Sequence, residues 1–457
     1  MYGVAKVAIL FLASIFLVAC SAEYDDNCFN FDWGNENPFY GEILTVAVVD
    51  PTFNYNAFAR AYMNNNPGVT IELIHFNGDL NRGQQQIGLQ LMAGYSPVLI
   101  CGFLLDYQHP STSRLLTDWL PIMYASPNFD ENDWFPNIFD ALSINDKLYG
   151  FPLSFLHSYI VVNSTIPGVA EVFSEYESIS FTDMMELYNA FHQESDAFYI
   201  THDFDVFLAV RLNIHRFLDT EEGWVDFNNK DFIDLISNAK EITQPNRVHS
   251  DMPWTGFANR NEELRLSQSY FFRRAPYYFV EYFGIFDDDT IFVNPIPEVS
   301  NNGDLLIWSL ESFVLSASAT PAEQALALDF VQFMLDPDDD LLALSNRRYL
   351  GAGPINRNSM RLRAEEMFPQ EISRFYTGPM VNNPWRLNVS MNEATRILYD
   401  EMTLIRDMAM ANFNFLPEII RDIIQESVNR FDAGLTTAEQ MAVDLQNQIT
   451  LVLMEIQ

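Results

Sequence analysis

Between residues 43 and 103 the chain alternates two hydrophobic periods, and that alternation limits its fold more than any other feature. Ile43–Val49 is an almost unbroken β-branched run, the pattern of a strand buried on both faces. Residues 54–64 carry helical spacing through Phe58 and Tyr62, and Pro67-Gly68 ends it. A second strand is predicted over 69–75, a second helix over 79–93 with Ile87 and Leu91 on one face, and a third strand over 98–103. Strand, helix, strand, helix, strand at this spacing predicts a doubly wound α/β unit.

Further helices announce themselves through capping chemistry. Thr320-Pro321-Ala322-Glu323 reads as a capping box with proline at the first helical position, ahead of the apolar stripe Leu326, Phe330, Phe333 and Met334. Thr436-Thr437-Ala438-Glu439 repeats the device before Met441, Leu445 and Ile449. From Met391 onward the pattern is almost wholly helical, broken near 412–417 and 433–434. A chain of 457 residues, 48% hydrophobic, has room for two large lobes, each with its own core.

Charge and cysteine usage restrict the partners. Lys and Arg total 25 against 62 Asp and Glu, a formal charge of -37. Nucleic acid and anionic lipid both need clustered cations, so neither is an expected partner. Lys6 precedes an apolar run over 7–18, too short to span a bilayer, which ends Leu17-Val18-Ala19-Cys20. This ending resembles a bacterial lipobox. It implies a signal peptide over 1–19, lipidation of Cys20, an acidic tether over 20–42, and membrane attachment only through the lipid. An ordinary signal peptide with a chance cysteine is the plain alternative. Cys28 and Cys101 could pair outside the cytoplasm, but one lies in the tether and the other in a buried strand. No Cys-x-x-Cys occurs, which excludes a zinc ribbon or a thioredoxin-type site.

Several fragments in order resemble the extracellular solute-binding proteins of bacterial ABC importers, in particular the maltose-binding-protein-like sugar group. Phe58-Ala59-Arg60-Ala61-Tyr62 and Asn66-Pro67-Gly68-Val69 are similar to the family's first helix and turn. Leu91-Met92-Ala93-Gly94 before Ser96-Pro97-Val98 resembles its next segment, with Val98 where the family has aspartate. Lys147-Leu148-Tyr149-Gly150-Phe151-Pro152 resembles its crossover, with Asp146 where glycine is usual. The stretch 309–319 ahead of the Thr320 helix, and Gly353-Pro354-Ile355-Asn356-Arg357, match later elements. The resemblance implies an α/β, two-lobe periplasmic-binding-protein-like fold, each lobe a sheet flanked by helices, with a helical C-terminal part. Lobe 1 is expected over 43–153 and 312–337, lobe 2 over 154–311 and 338–457. Hinge crossings are expected near 152–157, 307–313 and 334–340.

Catalytic motifs are missing. The sequence has no Gly-x-Ser-x-Gly elbow, no phosphate loop and no His-Glu-x-x-His, and none of its seven histidines lies four residues from another. No catalytic residue, cofactor or metal is therefore assigned. A sugar site needs aromatic faces and planar hydrogen bonders beyond strand ends, beside the hinge. By that rule the ligand candidates are Phe53, Asn77, Asp106, His157, Trp308 and Glu311. Trp254 is a further candidate in a turn-rich segment of the second lobe, and the resemblance implies Tyr278, where related proteins place an aromatic ligand loop. Tyr107 follows the same strand end as Asp106. Trp308, an aromatic at the second crossing, is the leading candidate. Bland roles compete: Phe53 as core, Asn77 and Asp106 as turn formers, His157 as a satisfied hinge residue. The expected function is a lipid-anchored, monomeric solute-binding subunit that captures a small solute, a carbohydrate above all, and delivers it to ABC permease subunits. A surface glycan-acting hydrolase and a non-transport adhesion or sensor-accessory lipoprotein stand as the alternatives.

Overall fold

The computed structural model describes residues 31, 38–49, 55–76, 80–157, 159–162, 169–192, 205–220, 222–243, 271–274, 296–297, 299–300, 302–335, 353–362, 408–412 and 416–456. Cys20, Cys28, Phe53, Asn77, Trp254, Tyr278 and most of the third expected crossing lie outside them.

The alternating segment forms the heart of the first lobe. Strands β1 (Ile43–Val49), β2 (Thr70–Phe76) and β3 (Leu99–Cys101) are parallel, with β1 between the other two. Leu44, Val46, Ala47 and Val48 are all fully buried, so both faces of β1 are covered. That double burial is why its sequence shows no polar alternation. Helix α1 (Tyr55–Asn65) buries Phe58 and Tyr62, and α2 (Leu80–Met92) buries Ile87 and Leu91. The third strand is shorter than its sequence suggests. The chain leaves the sheet at Gly102 in a 3-10 turn, Gly102–Leu104, which brings Phe103 out to 41% exposure.

Two long antiparallel strands extend this sheet. Strand β4 (Gly150–His157) is followed in the chain by β5 (Tyr159–Val162), which belongs to a second sheet with β6 (Phe271–Arg274) and β7 (Ile296–Pro297). Strand β8 (Leu305–Leu315) lies between β3 and β4, antiparallel to both. Two short strands complete the large sheet, β9 (Gly353–Pro354) on β4 and β10 (Met410–Asn412) on the first residues of β8. Its order is β9-β4-β8-β3-β1-β2, with β10 off this path. Strand β10 corrects the helical reading of this part of the chain; pairing with Leu305–Ile307 outweighs local propensity there.

The buried side chains form two cores. The first draws on the β1–α2 unit, helix α3 (Trp119–Ala125), β4 and helix α6 (Pro321–Met334). The second is mostly helical, built from α4 (Val206–Asn213), α5 (Lys230–Thr243), α7 (Glu418–Asp432) and α8 (Ala438–Ile456). Strand β8 serves both: Leu305 and Ile307 belong to the first core, and Leu306 between them belongs to the second. Neighbouring strand residues point to opposite faces, so a single strand can tie two lobes together.

The caps form with one shift. Thr320 Oγ1 accepts from Glu323 N at 3.3 Å while Glu323 Oε2 accepts from Thr320 N at 2.7 Å, the reciprocal box expected for α6. At α8 the cap is Thr437 rather than Thr436, accepting from Gln440 N at 3.2 Å. Thr437 and Gln440 satisfy the same three-residue spacing one position later.

Cys101 is a free, fully buried thiol on β3. Burial pushes it up to about 12, with the nearby Glu311 carboxylate adding to the rise. Because the thiolate is the reactive form, the Cys101 peptide should take up no iodoacetamide in the native chain at pH 8 and label fully in denaturant. Native labelling at a rate comparable to free cysteine would contradict this placement.

Candidate functional site

Beyond the end of β3 the two lobes face each other across a cavity of about 210 Å³. The first lobe contributes Gln84 of α2 and the segment after the strand, including Phe103, Asp106, Tyr107 and Gln108. Ser309 of β8 and Asn412 of β10 form its inner wall, and Glu418 and Arg421 of α7 close it from the second lobe. Its position, outside the carboxyl end of a parallel strand, is where open α/β sheets hold their ligands.

Glycines make the floor possible. A Cβ at Gly150 would lie 2.8 Å from Tyr107 Cζ, and one at Gly102 would lie 2.2 Å from Ser312 Oγ. Only hydrogen at these positions lets the Tyr107 ring settle between β4 and the turn, where its phenol bonds to the Ser312 side chain. Burial pushes the Tyr107 phenol above its ordinary range; Ser312 and Arg421 oppose the rise and Asp106 adds to it. Tyr107 is therefore a neutral phenol at physiological pH.

The polar groups are not all spent. Gln84 Nε2 donates to Phe103 O at 3.1 Å, and Asp106 Oδ2 accepts from Glu418 N at 2.9 Å, joining the lobes. Gln108 Oε1 and Arg421 Nε are buried without a hydrogen-bond partner among the described residues. One is an acceptor on the first lobe and the other a donor on the second. Such groups each cost about 1–3 kcal/mol when left unmatched. Beside them stands the exposed part of Phe103, an aromatic surface at the cavity wall.

Of the residues proposed from sequence, Asp106 lines this cavity, together with its neighbour Tyr107. Ser309 also lines it, so strand alternation puts Trp308 on the opposite face of β8, where it is half-buried. Glu311 is 2% exposed and accepts a 2.6 Å hydrogen bond from Tyr55 Oη of α1. His157 is fully buried beside Phe155, and burial holds its imidazole down to about 3. Sequence reasoning missed Gln84, Ser309, Asn412, Glu418 and Arg421. Arg421 carried a usable signal: it is a cation one turn into a helix, where the helix dipole disfavours positive charge.

A second cavity, of about 370 Å³, lies on the first lobe away from the cleft. Tyr62, Asn66, Asp133, Trp134, Asp329 and Asn358 are among its lining. Its polar groups are largely bonded to one another: Tyr62 Oη donates to Asp329, and Asn358 Nδ2 to Asp133 Oδ1 at 2.8 Å. Among the described residues no group of three or more His, Cys, Asp or Glu side chains could hold a metal ion.

Two lobes joined through shared strands, with a cavity between them at a strand end, make up the fold. Solved structures agree. The chain matches a periplasmic oligogalacturonide-binding protein from Yersinia enterocolitica with a TM-score of 0.60 at 12% identity, over 91% of this chain and 99% of that one. It matches the sugar-binding protein MalE from Xanthomonas citri with a TM-score of 0.58 at 13% identity, over 90% and 98%. A structure described as a de novo designed esterase matches with a TM-score of 0.59 at 12% identity, over 91% and 99%. At these identities the likeness is one of fold. No protein-family model matches the sequence, and no curated protein matches it.

Proposed function

We propose that the chain is an extracytoplasmic solute-binding subunit that captures a small neutral polyhydroxyl solute, a sugar above all, in the cavity between Gln108 and Arg421. The observation that carries this reading is the unmatched pair on opposite lobes beside an exposed aromatic face. A hydroxyl both donates and accepts, so a polyhydroxyl solute can supply a donor to Gln108 Oε1 and an acceptor to Arg421 Nε. Phe103 supplies the flat apolar surface that suits the C–H side of a sugar ring. The volume is below the roughly 300–1,000 Å³ of drug-sized sites, which favours a short sugar over a long glycan.

In this reading the lobes divide near the bounds given by the sequence, with lobe 1 over 43–153 and 312–337 and lobe 2 over 154–311 and 338–457. Ligand binding favours the closed arrangement, which is presented to ABC permease subunits. Anchoring through lipidated Cys20 rests on the lipobox-like sequence, and no helix among the described residues is long and apolar enough to cross a membrane. The chain acts without catalysis. A hydrolase reading has the two cleft carboxylates, Asp106 and Glu418, in its favour, but Asp106 is engaged with the Glu418 backbone.

A thermal-shift screen of neutral sugars, polyols and polyamines, with product analysis of every hit, tests the proposal. A sugar at one hundred times its Kd should stabilise the chain by about 2.7 kcal/mol and be recovered intact. Arg421→Leu should abolish that shift. Hydrolysed sugar would replace the binding role with catalysis, and stabilisation by polyamines alone would overturn the neutral ligand.

A further inference from the structure

The N-terminus of α7 lacks a cap of its own. Its N-cap position is Pro417, which has no capping side chain. The amides of Ile420 and Arg421 turn back to Pro417 O at 3.0 and 3.1 Å, which leaves the amides of Glu418 and Ile419 without an intrahelical acceptor. For Glu418 the match comes from the other lobe: Asp106 Oδ2 accepts from Glu418 N at 2.9 Å, across 312 residues of sequence. Asp106 follows Leu104 and Leu105 of the first core, whereas Leu416 and Ile420 on either side of Glu418 belong to the second. A helix cap and an inter-lobe contact are therefore the same hydrogen bond.

We propose that Asp106 is an inter-lobe latch, holding the lobes together without ligand by capping α7 in trans. An orphan helix amide beside a carboxylate is a charge-assisted pair, stronger than a neutral hydrogen bond. Opening the cleft breaks that bond and uncaps the helix, so the latch biases the chain toward the closed arrangement that the proposed ligand also favours. The latch also puts a carboxylate of the chain itself at the positive end of α7. A solute with an anionic group would have to displace Asp106 to reach it, so the same residue selects for neutral ligands. The inference deepens the proposed solute-binding role, but its test uses no ligand.

Hydrogen exchange measured on the full chain by mass spectrometry reads the latch from both sides. Asp106→Ala should speed exchange in 416–421 on α7 and in 102–108 on the first lobe together. The expected factor is about 2- to 30-fold, the range a helix cap is worth. Asp106→Asn keeps an acceptor oxygen and should stay within a few-fold of wild type. Exchange in 150–157 and 305–315, the strands common to both lobes, should not change. Unchanged exchange in 416–421 for Asp106→Ala would overturn the latch. So would an acceleration in Asp106→Asn equal to that of Asp106→Ala, or a parallel acceleration of the shared strands, which would mark Asp106 as a general support of the fold. If the latch holds and no neutral solute binds, the solute reading fails on its own.

Discussion

Trp119→Ala is expected to lower the unfolding free energy by about 3–5 kcal/mol, the cost of emptying a large aromatic from a packed core. Trp119 is fully buried at the start of α3. Its Nε1 donates to Phe313 O on β8 at 3.1 Å, and its ring meets Phe151 of β4 edge-on, 5.5 Å between centroids. The residue thus ties a helix to both long strands shared with the hinge. Its loss forfeits burial and leaves the Phe313 carbonyl without this donor. Urea denaturation followed by circular dichroism measures the change. A shift of less than about 1 kcal/mol would mean that this corner repacks freely.

The second large effect is acid sensitivity through His157. Its folded imidazole is held down to about 3 by burial, while an unfolded histidine titrates near 6.5. Between those values the unfolded chain binds a proton that the folded chain does not. Stability contributed by neutral His157 is therefore intact above about pH 6.5 and is lost as pH falls towards 3, at up to about 1.4 kcal/mol per unit. His157→Phe keeps the buried ring and removes the proton. Between pH 6.5 and 5 the wild-type chain should lose about 2 kcal/mol more than the variant. Equal losses in both chains over this range would show that His157 protonates in place.

The first lobe was the more legible in the sequence. The β-branched run of β1, the stops at Pro67-Gly68, and the Thr320 box each report a local cause that the tertiary structure does not override. Strand β10 was illegible for the opposite reason: Met410–Asn412 has no strand pattern and pairs only because β8 lies alongside it. The site divided in the same way. Asp106 and Tyr107 follow a strand whose position the pattern fixes, so the strand-end rule reaches them. Trp308 and Ser309 differ by one residue, and only the register of β8 decides which of the two meets the cavity. Arg421 and Asn412 come from far along the chain and join the site through packing of the second lobe, which no local pattern encodes.

A crystal structure of the chain with the best neutral sugar from the screen tests the central claim most directly. The solute-binding reading predicts the sugar between the lobes, its ring against Phe103 and its hydroxyls within about 3 Å of Gln108 Oε1 and of Arg421 Nε. A sugar seated instead in the cavity of Tyr62, Asn66 and Asp329, with the cleft unchanged, would contradict it.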